Sequence, residues 1–283
     1  MSTTVTITRG LSLQKRLEGV TWDDIDAVIL SDARRLWSEC GGPSSPGSKL
    51  LTDPNHSTKA KKSKRWEYLL YLAPHRVAGV RSVCPWSSPG CRGVCLYYSG
   101  HGYHKSVQAG RIAKTHFATL HPAHFLALLV HEFGLLARRS QRYGFRHDQR
   151  PYIRLNGTSD IIIENVPVLA QAINSYYSHI EFADYTKANI DQRPNPGLDN
   201  YRLVRSVWAD KPIEDLESAI RSGAPVALCV DDKEPLLSLP GVVDADKTDE
   251  WIFNDSARVG LLSPKFPATA ADTWDYRTIK GLL

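Results

Sequence analysis

"PYIRLNGTSDIIIENVPVLAQAINSYYSHIEFADYTK", residues 151–187, changes its hydrophobic period twice and so decides the fold class. "PYIRLNGTSD" reads as a strand that runs out into polar residues. "ENVPVLAQAINSYY" has apolar residues at three-to-four spacing and reads as a helix, and "HIEFADYTK" reads as a second strand. A strand, a helix and a strand of these lengths make a βαβ unit, whose two strands lie parallel.

The same alternation continues on both sides. Upstream, "RWEYLLYLAP" is a strand closed by Pro74, and "KSVQAGRIAKTHFATL", 105–120, is a helix. "AHFLALLVHEFGLLARRSQRYG" is a long amphipathic helix with Gly144 as its stop. Downstream come a strand "YRLVRSVW", a helix "PIEDLESAIRSG" and a strand "APVALCVDD". About five β/α units between 66 and 232 predict an open, partial β/α barrel rather than a closed eight-fold one. "TWDDIDAVILSDARRLWSEC", 21–40, predicts one amphipathic helix capped by Thr21. Residues 1–65 thus form a helical N-terminal segment with a basic linker, 66–283 the barrel-like domain, and "GVVDADKTDEWIFNDSARVGLLSPKF" a short β-rich tail.

The bulk composition narrows the functional classes. The chain has 283 residues, 42% hydrophobic and 23% charged, which is ordinary for a globular protein with a real core. No apolar run approaches the ~20 residues of a membrane span, and the N-terminus lacks the layout of a secretory signal. The expected location is the cytoplasm, with no membrane partner, where thiols stay reduced. Five cysteines is an odd number, which argues against a disulfide framework. The net charge of +5 is concentrated in "STKAKKSKRW", where Lys59, Lys61, Lys62, Lys64 and Arg65 read either as a solvated linker or as a phosphate-contacting patch.

Three cysteines fall together in "SVCPWSSPGCRGVCLYYSGHG", 82–102. Cys84, Cys91 and Cys95 are spaced C-x6-C-x3-C directly after the first strand of the body. In parallel β/α folds ligands bind outside the carboxyl ends of strands, where this loop belongs. Two metal readings follow. In one, three thiolates hold three irons of a [4Fe–4S] cluster and leave the fourth open to S-adenosylmethionine, with an electron donor as partner. In the other, His101 or His104 completes a Cys₃His zinc site. The spacing differs from the C-x3-C-x2-C usual in radical enzymes.

The other strand ends supply candidate ligand contacts. Asn156, Ser159 and Asp160 lie in the polar run "NGTSD", and Tyr185, Thr186 and Lys187 end "FADYTK". Lys187, Asp160 and Tyr185 are the candidate catalytic residues, and Asn156, Ser159 and Thr186 the candidate cofactor contacts. A lysine at such a mouth can hold a carboxylate or phosphate, or act as a base. Alternation along the strand puts Asp184 on the opposite face from Tyr185. Cys229 reads as core, Asp244, Asp246 and Asp249 as a solvated acidic turn, and the histidines at 116, 121, 124 and 131 as packing or surface residues. No P-loop, nucleophile elbow or dinucleotide fingerprint is present.

"CPWSSPGCRGVCLYYSGHG", followed by "RIAKTHF", "IRLNGTSD", "FADYTK" and "VVDADKTDEWIFND", resembles the gene-product-88 family of bacteriophage proteins over roughly 66–265. That resemblance implies a phage origin and a host-cell cytoplasmic setting more firmly than it implies a reaction. The "SPGC…C" loop is also similar to phage proteins of the radical S-adenosylmethionine class; with a phage origin, modification of a nucleotide or nucleic-acid base is the expected reaction, because phages often alter their own DNA bases. A zinc-containing, transglycosylase-like base-exchange enzyme with Asp160 or Asp231 as nucleophile is the alternative, and a metal-stapled nucleic-acid-binding module is the third reading. The substrate and the oligomeric state stay open.

Overall fold

The computed structural model describes residues 11–44, 49–54, 62–93, 95–146, 149–176, 178–208, 212–230, 232–263 and 280–283. Among the described residues, eight strands form a single sheet: β1 (Leu51–Thr52), β2 (Glu67–Leu70), β3 (Tyr152–Arg154), β4 (Glu181–Thr186), β5 (Tyr201–Trp208), β6 (Val226–Cys229), β7 (Val242–Asp244) and β8 (Val259–Leu262). Their order is β1-β2-β3-β4-β5-β6-β8-β7. The β1–β2 pair is antiparallel and every other pair is parallel. The sheet is open, with β1 and β7 at its two ends, so the expected α/β class holds while the barrel does not appear. The tail's two strands join this sheet, β8 inserting between β6 and β7.

Nine α-helices with both ends among the described residues accompany the strands. Three lie at the N-terminus: α1 (Leu13–Glu18), α2 (Trp22–Asp26) and α3 (Leu30–Glu39). The short α4 (Pro89–Gly93) lies in the cysteine loop, and α5 (Lys105–Leu120) and α6 (Pro122–Tyr143) follow it. α7 (Pro167–Ser175), α8 (Ile213–Arg221) and α9 (Glu234–Leu237) complete the set. The single helix expected over 21–40 is two helices. Thr21 and Asp24 make a reciprocal capping box at the start of α2. Ile29 then takes an extended conformation (φ −84°, ψ 120°) before α3, as suits the β-branched pair Val28-Ile29. Gly144 ends α6 in the left-handed region, φ 61°.

The main core lies between the sheet and the helices. Phe133 of α6 meets Phe182 of β4 edge-on at 5.2 Å between ring centres, deep among Leu126, Leu129, Ile153 and Ile173. Leu13, Leu17, Ala33 and Trp37 belong to the same cluster, so the N-terminal helices share the core of the body. At roughly 25 cal/mol per Å² of apolar surface, such side chains supply most of the driving force for assembly. The other face of the sheet is narrower: Ala183, Val204 and Ala227 pack there with Trp251. A Cβ on Gly260 would lie 2.5 Å from the Trp251 ring, which explains the glycine. No single helix among the described residues is long and apolar enough to cross a membrane; α5 and α6, bent by 117° at their junction, qualify only as a pair, and both carry buried core residues.

Candidate metal centre

The cysteine loop leaves β2 at its carboxyl end and is tied to the loop that follows β3. The backbone N–H of Gly157 donates to the Leu70 carbonyl at 3.0 Å, the Thr158 hydroxyl to the Leu72 carbonyl at 2.6 Å, and the Asp160 N–H to the Val83 carbonyl at 2.8 Å. Gly157 is required by space, because a Cβ there would sit 2.7 Å from the Tyr71 ring and 2.9 Å from the Leu70 carbonyl oxygen. On the helix side, the Ala73 N–H donates to the Thr115 hydroxyl of α5 at 2.8 Å. The sequence after two neighbouring parallel strands is therefore laced into one platform.

The thiols sit on this platform. Cys84 receives the His75 N–H at 3.4 Å and gives its own S–H to the Thr158 carbonyl at 3.4 Å. His75 itself holds a left-handed φ of 49°, rare for a residue with a Cβ. Cys91 lies in α4, where its N–H donates to the Ser88 hydroxyl at 3.0 Å. Burial pushes the Cys84 thiol up to about 12, and Asp160, Cys95 and Cys91 push it the same way. Burial also raises Cys95, with Cys91 adding to it. Cys84, Cys91 and Cys95 share one loop. Among the described residues, however, no three His, Cys, Asp or Glu side chains stand ready to hold one metal ion. His101 and His104 are exposed, their rings 6.0 Å apart.

Asn156, Ser159 and Asp160 come together, as the polar run suggested, but inside the protein. The Asn156 carbonyl oxygen accepts from the Ser159 hydroxyl at 2.9 Å and the Ile161 N–H at 2.8 Å; its amide donates to the Ile161 carbonyl at 2.9 Å and to Asp184 at 3.1 Å. One oxygen of Asp160 accepts the Lys187 N–H at 2.8 Å, and the other pairs with Arg193 at 3.0 Å. Arg193, fully buried, also grips Glu164 through two bonds of 2.8 and 2.7 Å and reaches the Tyr201 hydroxyl at 2.9 Å. That hydroxyl donates to Asp184 at 3.0 Å, and burial lifts the Asp184 carboxyl to about 6. Sequence patterning does not single out Arg193, Asp184 and Tyr201 as partners. Arg193 sits in the turn segment "DQRPNPG", where no periodicity marks an inward-facing arginine.

The residues at the end of β4 divide between the two faces of the sheet. Thr186 is buried and accepts the Ala188 N–H at 3.1 Å. Tyr185 points to the opposite face from Asp184, as alternation requires, and donates to Asp249 at 2.8 Å while Arg154 stacks over its ring at 4.5 Å. Asp249 and Glu67 also pair with Arg154, at 3.1 and 3.4 Å. Lys187 is half-buried, its ammonium donating to the Ser206 hydroxyl at 2.7 Å. A small cleft opens here, lined by Lys187, Asn189, Arg205 and Asp215 among others. Arg205 is 2% exposed, and its Nε has no hydrogen-bond partner among the described residues.

The remaining candidates resolve as follows. Asp244 and Asp246 clamp Lys233 at 2.5 and 2.8 Å, so the acidic turn already has a cation, and Asp249 belongs to the Arg154 cluster. His116 bonds the Ala78 carbonyl at 2.8 Å, and His121 packs beside Phe117 at 6.1 Å. Cys229 is half-buried at the end of β6 rather than deep in the core. Of the basic run, Lys62 and Lys64 are not buried, whereas Arg65 is, with its guanidinium 4.4 Å over the Phe253 ring. Lys59, Lys61 and Asp231 lie outside the described residues.

No match was found among curated proteins or among solved structures. The profile of one family, described as gene product 88, covers residues 47–278, a span that holds the cysteine loop, the platform beneath it and all eight strands of the sheet. By that match the chain belongs to the gene product 88 family.

Proposed function

We propose that the chain is an iron–sulfur enzyme of the radical S-adenosylmethionine type that modifies a nucleotide or nucleic-acid base, with Cys84, Cys91 and Cys95 as cluster ligands. One observation carries the reading. Three thiols stand on a single loop at the carboxyl edge of a parallel sheet, and burial raises two of them, Cys84 and Cys95. Such a trio becomes stable as thiolates only with strong positive charge between the sulfurs, which is what a metal centre provides. Because no ready-made cage is present among the described residues, loading and the final closure of the loop are coupled. When bound, a three-cysteine [4Fe–4S] cluster supplies an open iron for S-adenosylmethionine and, with an electron donor, its reductive cleavage.

The chain's own residues have distinct parts in this reading. Asn156, Ser159 and Asp160 act as positioning residues, since their polar groups are engaged in holding the platform under the thiols. Thr186 extends that support, and the sequential strands β2 to β6 serve as the wall of an open β/α barrel. Lys187 faces the substrate side, where it and Arg205 line a cleft suited to a phosphate or carboxylate. Tyr185, bound to Asp249 across the sheet, supports the opposite face.

Anaerobic reconstitution with iron and sulfide tests the proposal. The expected result is an iron–sulfur absorbance shoulder and release of 5′-deoxyadenosine from S-adenosylmethionine on reduction. Zinc without inorganic sulfide, and no cleavage, would replace this reading with the zinc-dependent base-exchange alternative.

A further inference from the structure

The surface around the cysteine loop carries an unusual charge pattern. Between Glu67 and Glu132 the sequence contains no aspartate or glutamate, whereas Arg76, Arg81, Arg92, Lys105, Arg111 and Lys114 all fall there. Arg111 is turned inward, its guanidinium 4.3 Å over the Tyr71 ring. Arg76, Arg81, Arg92 and Lys105 are exposed. Two tyrosines stand among them, Tyr98 at 47% and Tyr103 at 74% exposure.

The segments that carry these residues are bonded to one another. The Val83 N–H bonds the His75 carbonyl at 3.1 Å, closing the turn that bears Arg76 and Arg81. Arg92 donates to the Ser87 carbonyl at 2.7 Å, Ser87 in turn bonds the Cys84 carbonyl at 3.3 Å, and the His75 ring meets the Ser82 hydroxyl at 3.0 Å, so the helix that bears Arg92 is tied to that turn. His116 of α5 reaches Ala78 in that turn at 2.8 Å, and Gln108 of α5 reaches the Tyr97 carbonyl at 3.3 Å. Asp160, whose N–H bonds the Val83 carbonyl at 2.8 Å, is buried and paired with Arg193 at 3.0 Å. No acidic residue of the segment offsets the exposed cations.

We propose that this patch is a docking track for single-stranded nucleic acid, which brings a base to the mouth beside Cys84. Exposed cations on an acid-free stretch match a phosphate backbone, and exposed tyrosines offer π-faces to unstacked bases. Tyrosines carried on turns suit stacking, whereas an anionic bilayer is met by an amphipathic helix with a wide apolar face. The track stands on charge and exposure alone; its use for delivering substrate rests on the iron–sulfur reading.

The test is fluorescence anisotropy of a labelled single-stranded oligonucleotide with the full chain across a salt series. Wild type should bind with a steep salt dependence. The combined variant Arg76→Ala, Arg81→Ala, Lys105→Ala should lower the log–log salt slope by about 2, at ~0.7 for each phosphate no longer neutralised. Tyr103→Ala should weaken single-strand binding by roughly 10-fold and leave duplex binding unchanged, since only unstacked bases can use the ring. Three results would overturn the proposal: equal affinity for duplex with no effect of Tyr103→Ala, loss of binding only when Lys59, Lys61, Lys62 and Lys64 are neutralised, or capture by phosphatidylserine vesicles in place of oligonucleotide. Elemental analysis of the same preparations reads the metal separately, so zinc or an absence of metal would end the iron–sulfur reading while leaving the strand-binding result as measured.

Discussion

The Cys84 thiol donates to the backbone carbonyl of Thr158 at 3.4 Å, so the candidate ligand loop after β2 rests directly on the loop after β3. Thr158 completes the tie through its hydroxyl, 2.6 Å from the Leu72 carbonyl. Thr158→Val keeps the shape and removes that bond, leaving a buried carbonyl short of a donor. The expected loss is about 1–3 kcal/mol in urea denaturation, with faster amide exchange across residues 72–84. Unchanged exchange in that segment would show that the two loops are not mechanically joined.

Asp160 separates a positioning role from a chemical one. Its carboxylate is shared between the Lys187 N–H and the fully buried Arg193. Asp160→Asn leaves Arg193 with Glu164 as its remaining ionic partner among the described residues, which should cost about 3 kcal/mol of stability. As a positioning residue, Asp160 should also lose metal content when substituted, and Asp160→Glu should restore part of it. A variant with wild-type stability and metal content but no activity would instead mark Asp160 as chemical.

How much of the fold and site is legible in the sequence depends on the range of the interaction. The strands at 152, 181, 201 and 226 and the helices at 105, 122, 167 and 213 announce themselves through local periodicity, and Gly144 through its cap. The split at Val28-Ile29 escapes such a reading because an amphipathic pattern tolerates a brief break in the helix. Closure of the sheet depends on whether β1 and β7 meet, a relationship between distant segments that no local pattern records. The polar run at 156–160 marks residues that bond one another inside the protein, but its partner Arg193 lies 33 residues beyond Asp160 in an irregular turn. The acid-free stretch from 68 to 131 is plain in the sequence and emerges on counting charge by segment.

Stability should fall as pH rises through the mildly acidic range. Burial lifts Asp184 to about 6 and Glu132 to about 7, above their unfolded values near 4. Between those limits the folded chain holds protons that the unfolded chain releases. Raising the pH therefore favours unfolding, by on the order of 3 kcal/mol for each group once both limits are passed. Glu132 accepts the N–H groups of Leu50 and Leu51 at 2.7 and 3.0 Å, so Glu132→Gln keeps one acceptor and removes the titration. The difference in stability between wild type and this variant should shift in the variant's favour from pH 5 to pH 8. A flat difference would mean that Glu132 ionises normally in the fold.

The ligand loop should load more readily at higher pH. Cys84, pushed up to about 12, is a neutral thiol near pH 7, so every metal-bound sulfur must first give up a proton. Iron and sulfide incorporation measured at pH 6.5 and 8.5 should rise with pH. Equal loading at both values would mean that the thiols are not the ligands.

Iron and acid-labile sulfide per chain, determined on anaerobically purified and reconstituted protein beside its Cys84→Ser, Cys91→Ser, Cys95→Ser variant, bears most directly on the central claim. About four of each per wild-type chain and almost none in the variant is the predicted result. Equal metal content in the two proteins, or a wild type that takes up neither iron nor sulfide, would contradict it.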